Sequence, residues 1–189
     1  MNGRWENRLK DDALMRIATE LGEVQMRHAG AADFEAVYQV SLDAQQWLQS
    51  RGIYQWTVLM NSKEGQRQLL DRILHAEVYL ALLDGDPVGT LSLQWEDPFF
   101  WDERGEDGLA GYVHALAIRR KVGGHGVGRA LIHWAMRLIA GHGRPLIRLD
   151  CMADNPALCA YYARLGFIDQ GVREWPNWRA RLYERGVGE

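Results

Sequence analysis

Apolar and polar residues recur along this chain with two periods, and the switch between them lays out its elements. Near the start, Leu9, Ala13, Leu14, Ile17, Ala18 and Leu21 fall at helical spacing between Asn7 and Gly22, which predicts an amphipathic helix. Val24 to His28 alternates as a strand. Ala32 to Gln39 and Leu42 to Ser50 read as two helices, the second closing at Gly52, and Gly65 to Leu74 as another. Glu77 to Leu83 and Val88 to Trp95 are rich in β formers and flank Asp84-Gly85-Asp86-Pro87, which carries hairpin-turn chemistry. A loop from Glu96 to Gly108 leads into a strand from Gly111 to Ile118.

The second half is written differently. A glycine-rich turn, Gly123 to Gly128, feeds a helix with Ala130, Leu131, Trp134, Ala135, Leu138 and Ile139 on one face. Leu146 to Cys151 is a short strand. Asn155-Pro156 then supplies an N-cap and a proline at the first helical position, and the helix they start ends at Gly166. Phe167 onward and Arg179 to Glu184 read as the last strands. An antiparallel meander followed by strand, helix, strand, helix, strand describes an α/β fold, a mixed sheet with helices on both faces. The expected organisation is a helical appendage over residues 1–22 and one domain over 23–189. The appendage either packs on that domain or docks on a second subunit, as in a homodimer.

Composition narrows the chemistry only by exclusion. With 189 residues, 22 Lys and Arg against 25 Asp and Glu, and a net charge of −3, the chain has no basic block, and nucleic acid is not expected as a partner. No apolar run approaches the length of a membrane span, and no secretory pattern is visible at the start, so the expected setting is cytoplasmic with no membrane partner. Two cysteines, Cys151 and Cys159, build neither a disulfide framework nor a zinc site. They read as buried thiols.

The turn Gly124-His125-Gly126-Val127-Gly128-Arg129 has its own chemistry. A helix start presents unpaired N–H groups and the positive end of the helix dipole, and a backbone without Cβ atoms can close on a phosphate. The dinucleotide pattern G-x-G-x-x-G fails here, at Arg129 in one register and at Leu131 in the other. The P-loop spacing of Gly123 and Gly128 is present, but Arg129 stands in for its lysine and Ala130 for its magnesium-binding hydroxyl. A pyrophosphate held by backbone amides without metal passes both tests.

Val113-His-Ala-Leu-Ala-Ile118, the turn Gly123 to Gly128, and Asn155 to Phe167 together resemble the GNAT superfamily of acetyl-CoA-dependent N-acyltransferases. The later part of that signature is an asparagine, a tyrosine seven residues on and Gly-Phe four beyond, matched by Asn155, Tyr162 and Gly166-Phe167. Trp47-Leu48 and Gly52 to Trp56 also resemble an uncharacterised bacterial branch. The resemblance spans about Val24 to Val172 and implies a mostly antiparallel sheet splayed at the cofactor site. It implies acetyl-CoA as acyl donor, with pantetheine along Leu116, Ala117 and Ile118, pyrophosphate on Gly124, His125, Gly126, Val127, Gly128 and Arg129, and Asn155 as a further cofactor-binding residue. One departure is Gly123, where the family carries Arg or Gln.

The same resemblance implies that Tyr162 is the acid facing the sulfur. A phenol with a pKa of about 10 keeps its proton at neutral pH and can give it to a thiolate. Family members often use a central-strand glutamate as base, and none occurs here. His114 stands on that strand, with an ordinary pKa of about 6.5, while Glu96 and an ordered water chain are the other candidates. Glu96, Asp97, Asp102, Glu103, Glu106 and Asp107 surround Trp95, Phe99, Phe100 and Trp101, a grouping suited to attracting a protonated amine. Tyr54, Trp56, Trp175 and Trp178 are candidate walls for that acceptor, a small-molecule or peptide amine. The rival reading is a CoA-binding or sensing module on the same fold.

Overall fold

In the computed structural model, residues 16–55, 61–75 and 77–188 are described. Among them are eight strands, hydrogen-bonded in the order β1-β2-β3-β4-β5-β6-β8-β7. They are β1 (Arg16–Thr19), β2 (Gly22–His28), β3 (Val78–Leu83), β4 (Asp86–Gln94), β5 (Ala110–Ile118), β6 (Leu146–Met152), β7 (Ile168–Trp175) and β8 (Trp178–Gly186). The α-helices among the described residues are α1 (Phe34–Gln49), α2 (Lys63–Leu74), α3 (Pro98–Trp101), α4 (Val127–Gly141) and α5 (Pro156–Arg164). The sheet is mixed and mostly antiparallel, as the pattern predicts: β5 and β6 run parallel, joined through α4, and the pairs β1/β2, β2/β3, β3/β4, β6/β8 and β7/β8 are antiparallel. None of the described helices is long and apolar enough to cross a membrane.

The chain divides into two compact units, one of Met1–Ser92 with Ala115–Trp134 and one of Leu93–His114 with Ala135–Glu189. The first holds the β1–β3 ladder and a core in which Ala29, Val37, Ile73, Val78 and Leu80 pack together. Its helix α2 starts at Ser62, whose hydroxyl accepts from the Gly65 N–H. The second holds a core of Trp101, Ala110, Tyr112, Ala180 and Leu182. The division along β5 falls at Ala115, which adopts φ 49° in place of an extended conformation. A residue with a Cβ in that region is strained, by about 1 kcal/mol or more.

Three expectations change, the first being the loop predicted from Glu96 to Gly108, which holds the helical turn α3, started by proline after the Asp97 cap, and a 3₁₀ helix over Asp102–Glu106. The helix predicted up to Leu21 is replaced, over Arg16–Thr19, by a strand paired with β2; its earlier residues lie outside those described. Ile17 is buried with exposed neighbours on either side, and the Thr19 hydroxyl donates to Gly22 O at 2.7 Å to close the hairpin, so pairing overrides helical spacing. The two helices predicted over Ala32–Gln39 and Leu42–Ser50 form one, α1, after a single 3₁₀ turn at Ala31–Asp33. Ser41 does not open a new helix because it is buried and its hydroxyl donates back to Val37 O at 3.0 Å.

Candidate active site

The anion cradle belongs to the first unit. After β5, the 3₁₀ turn Arg120–Val122 leads to Gly123 in an extended conformation, then Gly124 at φ 87° and Gly126 at φ 76°, and α4 begins at Val127. Two left-handed residues in three explain the glycines, since a side chain at either is strained whatever the space around it. The Ala130 N–H closes the first turn on Gly126 O at 2.9 Å. The amides of Val127, Gly128 and Arg129 precede it and have no helical carbonyl to bond, which is the donor set a pyrophosphate requires. Val127 anchors this start by burying its side chain, as do Leu131 and Ile132 behind it. Each such burial contributes roughly 1.5–3 kcal/mol. Arg120 fastens the other side of the turn: its N–H donates to Asp43 at 2.6 Å, and its guanidinium lies 4.5 Å over Trp47 of α1. His125 and Arg129 are exposed, Ala117 is buried and Leu116 and Ile118 are partly buried.

The titratable side chains of interest belong to the second unit. Asn155 caps α5 by accepting from the Leu158 N–H at 3.1 Å, and the α5 C-terminus closes through Gly166 and the Phe167 N–H bonded to Tyr162 O. That helix holds Tyr162 almost fully buried, its ring 5.7 Å from both Phe167 and Tyr183. Burial, and then the charges of nearby groups including Cys151 and Asp150, push the phenol well above its ordinary pKa, so it keeps its proton throughout the neutral range. Cys151 and Cys159 are free thiols with their sulfurs 3.8 Å apart; burial also raises Cys151. Tyr161, the other tyrosine of α5, is 5.4 Å from Tyr162.

His114 on β5 stands between two carboxylates. Its Nδ1 is 3.0 Å from Asp150 Oδ1 on β6, and its Nε2 is 3.4 Å from Asp97 Oδ2 just ahead of α3. Asp97 is the N-cap of α3, accepting from the Phe100 N–H at 3.2 Å. Its backbone is wedged against Gly105, where a Cβ would come within 2.3 Å of Asp97 O. Desolvation raises its pKa, with the neighbouring His114 opposing. Sequence reading singled out Glu96, which is exposed, and counted Asp97 only among the acidic residues of the loop. The buried neighbour is the one that meets His114.

The acidic loop carries less open charge than its six carboxylates imply. Asp102 pairs with Arg173 of β7, and Asp107 with the buried Arg148 at 2.9 Å. Arg148 also binds Glu184 at 2.8 Å and donates to Tyr112 Oη at 2.9 Å. Beside the loop, Trp175 and Trp178 stack at 4.2 Å, Phe99 lies parallel to Trp175 at 5.2 Å, and Phe100 is edge-on to Trp175 and 5.8 Å from the His114 ring. An open pocket of ≈ 550 Å³ is lined by Pro98, Phe99, Arg173, Glu174 and Trp175. Tyr54 is exposed, and Trp56 lies outside the described residues.

Residues 41–167 match the acetyltransferase (GNAT) family. The chain is 28% identical over 145 residues to the uncharacterized N-acetyltransferase YesJ of Bacillus subtilis, covering 74% of this chain and 79% of that protein. Among solved structures, a GNAT-family acetyltransferase from Listeria monocytogenes superposes with a TM-score of 0.74 at 24% identity, covering 90% of this chain and 99% of that one. The PaiA N-acetyltransferase of Thermoplasma acidophilum in complex with coenzyme A has a TM-score of 0.67 at 17% identity, covering 86% and 98%.

Proposed function

This chain belongs to the GNAT family of acetyltransferases, and on that premise we propose that it moves an acetyl group from acetyl-CoA directly to a primary amine. The observation that carries the reading is the glycine turn at the start of α4, a metal-free set of amide donors with two left-handed glycines. Kinship supports it too: YesJ is named an N-acetyltransferase, and the PaiA enzyme is seen with coenzyme A.

Bound acetyl-CoA would supply the acetyl thioester. The amides of Val127, Gly128 and Arg129 hold the pyrophosphate, and the Gly124 to Gly126 turn keeps side chains out of its way. The exposed Arg129 and His125 are available to its outer oxygens. Leu116, Ala117 and Ile118 offer backbone groups to the pantetheine, and an N–H at Leu116 or Ala117 stabilises the carbonyl oxygen as charge develops there. Tyr162 holds the proton destined for the departing sulfur, and burial ensures that it is present at every physiological pH. Asn155 contributes through the helix it caps, which sets the position of Tyr162. The acceptor is a small-molecule or peptide amine whose body meets the aromatic surface of Phe99, Trp175 and Trp178.

Acetyl-CoA titration of the wild-type protein and of Gly126→Val tests the carrying observation. Binding that survives EDTA and is lost in a folded Gly126→Val variant is the expected result. Equal affinity in the two proteins would remove the cradle from the proposal.

A further inference from the structure

Cys151 and Cys159 take no part in the proposed transfer, yet the fold brings them together. Cys151 is buried on β6, whereas Cys159, at the end of the first turn of α5, keeps part of its surface in solvent. Both belong to the second unit, and their sulfurs stand 3.8 Å apart. A disulfide bond is about 2.05 Å long, so the pair has to close by about 1.8 Å to form one. Cys159 Sγ also lies 3.8 Å from Met152 O and 3.9 Å from Ala153 O, over the end of β6. Its backbone is held from both sides: its N–H donates to Asn155 O at 3.0 Å, and its carbonyl accepts from the Tyr183 hydroxyl at 3.3 Å.

We propose that Cys151 and Cys159 form a reversible oxidation site for low-molecular-weight disulfides, and that the bond between them draws α5 toward β6 and displaces Tyr162. Its consequence for turnover rests on the acetyltransferase reading above. In the first step the Cys159 thiolate attacks one sulfur of the small disulfide, whose S–S bond breaks to release one thiol. A mixed disulfide on Cys159 remains. Cys151 then attacks Cys159 Sγ, its proton passes to the departing sulfur, and the second small thiol leaves. Two protein thiols are oxidised, one small disulfide is reduced to two thiols, and the two thiol protons end on those products.

The surroundings set this order. Cys151 is closed to a reagent, and its burial disfavours the thiolate, so the partly exposed Cys159 reacts first. Once it has reacted, its resolving thiol is already in contact. Arg181 of β8 stands opposite Cys151 in the ladder and puts a cation within range of both sulfurs. The link to Tyr162 is equally local. Cys159 and Tyr162 are three residues apart on α5 and so share a helix face. The Tyr183 ring that packs 5.7 Å from Tyr162 carries the hydroxyl bonded to Cys159 O. Drawing Cys159 toward β6 therefore moves both the turn that carries Tyr162 and the ring packed on it.

The experiment treats the reduced, folded full chain with oxidised glutathione and follows its intact mass. The expected product is lighter by about 2 Da, carries no glutathione, yields a linked Cys151–Cys159 peptide and reverts with dithiothreitol. Cys151→Ala should stop at a glutathione adduct on Cys159, and Cys159→Ser should not react. A wild type that keeps both thiols, or that stops at the adduct, overturns the proposal. Displacement of Tyr162 is read without turnover, from the ring NMR signal that Tyr162→Phe removes. That signal should shift on oxidation of the wild type and stay in place in Cys159→Ser; an unmoved signal in the linked protein overturns the coupling to α5. With a reactive amine in hand, kcat of the linked protein should fall roughly 10- to 10²-fold, the scale of a misplacement of about 1 Å, while acetyl-CoA affinity holds. An undiminished kcat likewise overturns the coupling. Failure of every amine to react, with the bond formed and the signal moved, counts against the acetyltransferase reading alone.

Discussion

Single residues carry the sharpest consequences. Tyr162→Phe removes a phenolic proton from a buried site without changing the ring contacts to Phe167 and Tyr183, so kcat should fall roughly 10- to 10⁴-fold while acetyl-CoA affinity stays near wild type. Unchanged turnover would move the proton to water. Arg148 makes the opposite kind of demonstration. It is 2% exposed between Asp107 and Glu184, and Arg148→Ala would leave both carboxylates without their cation, at a cost of about 3–5 kcal/mol in denaturant unfolding. A cost below about 1 kcal/mol would mean that these groups find water. Asp33 gives a direct titration: the hydrogen bonds from Arg27, against some burial and helped by the Gly30 N–H, hold its carboxyl at about 2. With the folded value depressed, its stabilisation is complete above the ordinary carboxylate range of about 4 and is lost as pH falls through about 2. Carboxyl NMR should show this midpoint, and Arg27→Gln should return it toward the ordinary value.

At the scale of elements, local rules were readable wherever they decided the outcome. Asn155-Pro156 and Gly166 bracket α5 as their types dictate, Asp84-Gly85 joins β3 to β4, and the apolar face of α4 carries the buried residues predicted for it. They misled at β1, where Ile17 obeys the β2 ladder, and at α1, where Ser41 satisfies itself within a continuous helix. The His114 centre was only half legible. His114 stood out on its strand, but Asp150 looked like one polar residue between Leu149 and Cys151, and Asp97 like one of six loop acids. Neither has a local pattern, because what joins them is the parallel pairing of β5 with β6 and the short turn of α3. That turn is held by the backbone contact at Gly105, so Gly105→Ala should drive Asp97 from its place. The expected result is a folded protein destabilised by roughly 1–3 kcal/mol in denaturant unfolding. Wild-type stability would show that the loop can shift to take the added methyl group.

For the whole molecule, family membership fixes the class of chemistry while the acceptor follows from residues that are particular to this chain. The expected attraction of a cationic amine by the loop is reduced by Arg173 and Arg148, both brought from distant strands to Asp102 and Asp107. Exposed Glu96, Glu103 and Glu106 leave a smaller acidic surface, whose influence fades beyond about 8 Å at physiological ionic strength. In the proposed reaction, recognition of the amine is expected to depend more on the aromatic faces of Phe99, Trp175 and Trp178 than on charge. The central claim is transfer of acetyl from acetyl-CoA to an amine, and its most direct measurement follows both products at once. The protein is incubated with acetyl-CoA and a panel of primary amines, free thiol is counted, and the acceptors are weighed by mass spectrometry. The expected result is at least one amine that gains a single acetyl group for each thiol released, with both signals lost in Gly126→Val. Thiol release that is the same with and without every amine, with no acetylated acceptor, would contradict it.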